Sequence, residues 1–223
     1  MLKIYYLRIS DFQHLSEDEL FPLVGEDTVR KVTGYKNPGV RRTKLLGEGM
    51  IRRLLFRLWG LHKEDYLIRI GEHGKPLVES RFTVWYNLSH SGDYIVAAFS
   101  HLEVGIDIEQ KRKARMEVAR RFFHPAEIQC LQNLAGDAQD ELFFRYWSVK
   151  ESFLKYTGSG LSSPLSGFES ADGHRPHISV RKPSKSLYLC LSGRSRIQMF
   201  RLCRDYRRAR DLSIPRPGSL PAG

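Results

Sequence analysis

Two carboxylates sit two residues apart in the stretch Val104-Gly105-Ile106-Asp107-Ile108-Glu109. Side chains alternate faces along a strand, so Asp107 and Glu109 share one side while Ile106 and Ile108 can be buried on the other. Carboxylates this close repel unless a cation lies between them. Hard oxygen ligands of this kind suit Mg²⁺ shared with substrate phosphates. A strand with a solvated acidic face would carry the same pattern. A second stretch, Trp147-Ser148-Val149-Lys150-Glu151-Ser152-Phe153-Leu154-Lys155, has helical spacing. If Val149 and Phe153 face a core, Trp147, Glu151 and Lys155 fall on the opposite side. That side can present an acid and a base, or only a surface i, i+4 ion pair. The third stretch, Asn87-Leu88-Ser89-His90-Ser91-Gly92, places a histidine and two hydroxyls on what reads as a tight turn. A histidine and turn amides can bind a phosphate there. An ordinary hairpin turn has the same composition.

These groups need elements to hold them. The N-terminal residues 1–8 alternate apolar positions and read as a first strand. Residues 43–59 read as a helix, with Leu46, Met50, Leu54 and Leu58 recurring every four residues and Gly60 as a stop. A strand over 66–70 and a breaker-rich loop over 71–76 follow. Residues 82–109 read as a β-meander with strands at 82–88, 94–99 and 104–109. Between 115 and 156 the period becomes helical. Leu142, Tyr146, Val149, Phe153 and Tyr156 form one stripe, closed by Gly158. Strands and helices are mixed without strict βαβ alternation, which predicts an α+β fold. The expected boundary is the connection near 100–103, giving units of 1–103 and 104–223.

A chain of 223 residues fits one large domain or two smaller ones. No apolar run is long enough for a membrane span, and the N-terminus lacks the shape of a secretory signal, so the chain reads as cytoplasmic. Cys130, Cys190 and Cys203 show neither metal-ligand nor disulfide spacing, and Cys130 reads as a small core residue. The net charge of +11 invites a nucleic-acid reading. Its distribution argues against one: eleven Lys/Arg against two Asp lie from Arg181 onward, so the folded body is nearly neutral.

Taken in order, the Ser-His-Ser stretch, the Gly-Ile-Asp-Ile-Glu strand and the Trp-x-x-Lys-Glu-Ser-x-x-Lys helix resemble the Sfp-type 4'-phosphopantetheinyl transferase family. Gly74-Lys75-Pro76, Arg121-Phe122-Phe123 with Glu127, and Gly158-Ser159-Gly160-Leu161 add to the likeness. The resemblance covers about residues 1–180 and fades after Pro183. Residues 194–223 are arginine-rich and proline-ended, with no legible partner strand. The resemblance implies two similar α+β halves packed as a pseudo-dimer with the active site in the cleft between them. It implies transfer of phosphopantetheine from coenzyme A to a serine of an apo carrier protein, with 3',5'-adenosine bisphosphate released. Asp107, Glu109 and Glu151 would hold Mg²⁺. His90 would meet a phosphate of coenzyme A beside Ser89. Lys75 would contact the nucleotide end, and Lys31, Arg42 and Lys44 the phosphates. Glu151 is the expected general base for the attacking hydroxyl, and Lys155 the group that stabilises or protonates the leaving phosphate. The basic stretch with Lys111, Arg112, Lys113, Arg115, Arg120 and Arg121 would steer an acidic carrier domain, or is a solvated helix face. A monomer serving peptide or polyketide synthetases is expected, with no nucleic-acid or membrane partner.

Overall fold

The computed structural model describes residues 2–71, 75–81, 84–159, 165–167, 169–170, 179–184, 187–193 and 197–201, the last three spans by backbone alone. The N-terminal part comprises β1 (Leu2–Arg8), α1 (Glu17–Leu20), α2 (Glu26–Thr33), α3 (Pro38–Trp59), β2 (Tyr66–Ile70), β3 (Pro76–Ser80), β4 (Trp85–Ser91) and β5 (Tyr94–Ser100). Then come β6 (Val104–Gln110), α4 (Met116–Phe122), α5 (Pro125–Gln132), α6 (Gly136–Thr157), β7 (Ser179–Ser184), β8 (Leu187–Gly193) and β9 (Ile197–Arg201). Strand and helix are mixed, as an α+β fold requires. No helix among the described residues is long and apolar enough to cross a membrane.

Three sheets form. One has the order β4-β5-β1-β9, one pairs β2 with β3, and one has the order β6-β8-β7. β5 is apolar on both faces because both are covered. Ile95, Ala97 and Phe99 join a core with Leu46, Met50, Leu54 and Leu55 of α3. Val96 and Ala98 join Leu2 and Ile4 against Val104, Ile106 and Ile108 of β6. The first sheet is thus sandwiched between α3 and β6.

α3 starts five residues before the expected start at residue 43. Asn37 caps it, its Oδ1 accepting from Gly39 N at 2.8 Å, and Pro38 supplies a helical φ at the first position. Gly60 ends α3 at φ +64, and Gly158 ends α6 at φ +69, left-handed values that suit glycine. The third stretch is corrected by the structure. Ser89, His90 and Ser91 close strand β4, and the turn is only Gly92-Asp93, with Gly92 at φ +56. A glycine-first, two-residue connection is a favoured hairpin geometry, so the strand runs on through the polar residues. Cys130 is exposed rather than a core residue, because α5 buries Glu127 and Leu131 instead. β9 pairs in parallel with β1, on the edge that β5 leaves open, so residues 197–201 do have a partner strand. Of the Gly-Lys-Pro loop, residues 72–74 lie outside the described residues, as do 160–164.

Candidate functional site

β4 divides the site. Alternation sends Ser89 and Ser91 to one face and His90 to the other. His90 lines a cavity of about 560 Å³ together with Lys31, Lys44, Arg30, Thr28 and Arg52, and with Ile51, Ile68, Ile70 and Leu88 as its apolar wall. Desolvation lowers the pKa of His90, and Lys44 and Lys155 lower it further. Inside this wall Glu48 accepts from Gly25 N at 2.9 Å and from Arg52 Nε at 2.6 Å, and Thr28 donates to its other oxygen. A basic, partly apolar cavity of this kind suits a phosphorylated ligand with a flat or aliphatic body.

On the opposite face of β4 lies β6. Its backbone N–H groups at Ile106, Ile108 and Gln110 do not meet a strand on this side. They donate instead to side chains of β4: Ile106 N to Asn87 Oδ1 at 2.9 Å, Ile108 N to Ser89 Oγ at 3.3 Å, and Gln110 N to Ser91 Oγ at 3.0 Å. This side-chain ladder satisfies an otherwise open sheet edge. It also brings Asp107 and Glu109 against the serines. Ser89 Oγ donates to Asp107 Oδ1 at 2.9 Å, and Ser91 Oγ donates to Glu109 Oε2 at 3.1 Å.

α6 closes the site from the third side, and Gly105 allows it. A Cβ at residue 105 would lie 2.1 Å from Ser152 O and 2.3 Å from Tyr156 N. The glycine therefore lets the helix backbone touch the strand backbone. That contact carries Lys155 to Asp107: its Nζ donates to Asp107 Oδ1 at 2.6 Å and to Ser89 Oγ at 2.8 Å. Trp147 Nε1 donates to Glu109 Oε1 at 3.2 Å, so Trp147, Glu151 and Lys155 do share the helix face that looks onto the carboxylates. Val149 is buried on the other side. Glu151 is pushed up to about 7, first by burial, then by the charge of Asp107, with Glu109 adding to it against the opposing pull of Lys155. Burial and Asp107 likewise raise Glu109.

Asp107, Glu109 and Glu151 are electrostatic neighbours. Among the described residues, though, no group of three or more His, Cys, Asp or Glu side chains is already gathered to hold a metal ion. Lys155 takes one oxygen of Asp107, and Ser91 and Trp147 take both oxygens of Glu109. Asp107 Oδ2 is buried without a hydrogen-bond partner. Such an oxygen costs free energy unless a cation or donor reaches it. An orphan carboxylate oxygen beside two acids whose pKa burial and mutual repulsion raise fits a hard divalent cation, which would offset that repulsion.

Three expected phosphate partners are placed differently from one another. Lys31 and Lys44 line the cavity. Arg42 does not: its guanidinium donates to Phe12 O at 3.0 Å and Leu15 O at 2.6 Å, tying down the segment before α1. Lys75 is not on the cavity wall either. Its Nζ donates to Tyr156 O at 2.7 Å, at the C-terminal end of α6 where a cation is favoured. Of the basic stretch, Lys111 pairs with Asp137, Arg112 with Glu109 at 3.4 Å, and Arg115 with Glu117 at 2.9 Å, while Lys113, Arg120 and Arg121 are exposed.

Sequence reasoning missed two features. One is the Asn87-Ser89-Ser91 ladder, whose signal is a small polar residue at every second position of the strand. The other is Lys150, which is fully buried. Its Nζ lies 2.8 Å from Glu127 Oε2, donates to Leu165 O at 2.9 Å and sits over the Phe123 ring. The lysine of the Trp-x-x-Lys-Glu motif is thus a core ion pair that fixes α6 to α5, and Glu127 is its partner.

Residues 103–209 match the family model described as the 4'-phosphopantetheinyl transferase superfamily. A 4'-phosphopantetheinyl transferase of Bacillus subtilis is 33% identical over 167 residues, 75% of this chain and 75% of the relative. The 4'-phosphopantetheinyl transferase Sfp of Bacillus subtilis (strain 168) is 36% identical over 149 residues, 67% of this chain and 66% of the relative. The 4'-phosphopantetheinyl transferase gsp of Aneurinibacillus migulanus is 36% identical over 145 residues, 65% of this chain and 60% of the relative.

Proposed function

The chain belongs to the 4'-phosphopantetheinyl transferase superfamily, and from that premise we propose that it moves the phosphopantetheine arm of coenzyme A onto a serine of an apo carrier protein. The observation that carries this reading is the division made by β4. A basic cavity with His90, Lys31 and Lys44 lies on one face, and a carboxylate strip with Lys155 lies on the other. A pyrophosphate bound across this strand has cations along one side and metal-type ligands along the other.

In the reaction the carrier serine Oγ forms a bond to the phosphorus that bears the pantetheine arm. The bond from that phosphorus to the bridging oxygen breaks, and 3',5'-adenosine bisphosphate leaves. Glu151 takes the hydroxyl proton. Its place on the helix face that looks onto Asp107 and Glu109, beside Lys155, suits it to accept that proton directly or through water. Lys155, released from Asp107, supplies charge or a proton to the leaving phosphate. Asp107, Glu109 and Glu151 would hold Mg²⁺, which when bound neutralises phosphate oxygens and offsets charge on the leaving group. Lys31, Lys44 and His90 orient the nucleotide end of coenzyme A. The two α+β halves form the pseudo-dimer, and the molecule acts as a monomer. The exposed Lys113, Arg120 and Arg121 steer an acidic carrier domain of a peptide or polyketide synthetase.

The test follows release of 3',5'-adenosine bisphosphate from coenzyme A by chromatography. Release that requires both an apo carrier and a divalent cation, and that Lys44→Ala slows by raising the KM for coenzyme A, supports the reading. Release without a carrier would make the protein a coenzyme A hydrolase instead.

A further inference from the structure

The ladder between β4 and β6 has a regularity that reaches into the chemistry. Each rung accepts from the backbone N–H nineteen residues on: Asn87 from Ile106, Ser89 from Ile108, Ser91 from Gln110. Each serine then donates to the carboxylate eighteen residues on: Ser89 to Asp107 and Ser91 to Glu109. The third rung has no carboxylate to meet, because the residue eighteen beyond Asn87 is Gly105, where α6 touches the strand.

A hydroxyl has one proton and two lone pairs. The Gln110 N–H can only donate, so it fills a lone pair of Ser91 Oγ and leaves the Ser91 proton for Glu109 Oε2. Backbone geometry thus fixes the polarity of the hydroxyl. Ser91 is buried, and Trp147 Nε1 holds the other oxygen of Glu109. The two donors, one from β4 and one from α6, set the plane of the Glu109 carboxylate. Arg112 also reaches Oε2, at 3.4 Å, so the further lone pair left for a cation is on Oε1.

We infer that Ser91 is a positioning residue for Glu109, and that with Trp147 it aims this carboxylate for cation binding. The inference rests on the metal-site reading above. Partners one bond removed from a ligand typically change metal affinity by about 10–100-fold. Ser91 therefore governs the affinity for the cation, and touches coenzyme A only through it.

The experiment titrates Mn²⁺, read by electron paramagnetic resonance, into the full chain saturated with coenzyme A and without carrier. Ser91→Ala should weaken Mn²⁺ binding about 10-fold or more. It should raise the Mg²⁺ concentration needed for half-maximal transfer and, at saturating Mg²⁺, leave the KM for coenzyme A unchanged. Ser91→Thr, which restores the hydroxyl, should recover Mn²⁺ affinity to within about 2-fold. Trp147→Phe, which keeps an aromatic ring against Phe123 and Phe143 but lacks the donor, should shift affinity in the same direction and gives a second reading if Ser91→Ala folds poorly. Asn87→Ala removes a rung without touching a carboxylate, so it should lower the melting temperature and spare Mn²⁺ affinity. Equal loss of Mn²⁺ affinity in Asn87→Ala and Ser91→Ala would overturn the inference, since the ladder would then act only through the backbone. Unchanged affinity in both Ser91→Ala and Trp147→Phe would overturn it as well. A wild-type chain that binds no Mn²⁺ would remove the metal-site reading itself, and the inference with it.

Discussion

Replacing Gly105 with alanine should pry α6 away from β6. The added Cβ would meet Ser152 O at 2.1 Å, Tyr156 N at 2.3 Å and Tyr156 Cα at 2.8 Å, where ordinary contact begins at 3.4 Å. All three atoms belong to the helix backbone, so no side chain can swing clear. The helix must retreat by roughly 1 Å, and overpacking of this severity costs about 3 kcal/mol. For a chain of this size that lowers the melting temperature by roughly 6–12 °C. Lys155 Nζ and Trp147 Nε1 ride on the same helix and reach Asp107 and Glu109 at 2.6 and 3.2 Å. A 1 Å misplacement of such groups costs about 10²-fold in turnover. The assays are a thermal melt and single-turnover transfer at saturating coenzyme A and Mg²⁺. If Gly105→Ala melts like the wild type and turns over normally, close strand–helix contact is not what assembles this site.

Other consequences can be tested alongside. Glu151, pushed up to about 7 by burial and by Asp107, binds its proton more tightly in the folded state than in the unfolded chain, where the ordinary value is 4.5. Stability in the presence of chelator should therefore fall as pH rises from about 4.5 to 7. Glu151→Gln should flatten much of that slope in denaturant titrations across the range. Lys150→Met leaves the Glu127 carboxylate buried beside an apolar group, where breaking one side of such a pair costs about 3–5 kcal/mol; Glu127→Gln combined with Lys150→Met should cost less than the sum of the single changes, as a double-mutant cycle would read. Arg42→Ala should lower stability by about 2–3 kcal/mol through the lost bonds to Phe12 and Leu15, with the KM for coenzyme A little changed, and a large rise in that KM would return Arg42 to the phosphate site.

Periodicity made the main elements legible. The apolar stripe of α6, the alternation of β1 and β6, the apolar run of β5, and the glycines that end α3 and α6 are all local signals, and each of these strands and α6 formed where its pattern lies. The same patterns put Asp107 and Glu109 on one side of a strand, and Glu151 and Lys155 on one side of a helix. What could not be read is how those sides meet. Ser89 and Ser91 looked like turn residues because polar, small side chains near Gly92 usually are. Their strand identity depends on β6 lying across them and offering N–H groups, a contact between residues eighteen or nineteen apart. Arg42 and Lys75 carry the charge of phosphate ligands, yet tertiary structure spends those charges on backbone carbonyls. Lys150 shows the reverse limit: nothing local marks it for burial, and it is the arrival of Glu127 from α5 that makes its burial tolerable.

The central claim is that a carrier serine receives phosphopantetheine from coenzyme A at the carboxylate strip of β6. Its most direct test is the intact mass of an apo peptidyl carrier protein after incubation with the chain, coenzyme A and Mg²⁺. The account predicts a gain of one phosphopantetheinyl group, absent with EDTA and absent when the carrier serine is alanine. An unchanged mass across several apo carriers, from a chain that still binds coenzyme A and a divalent cation, would contradict it.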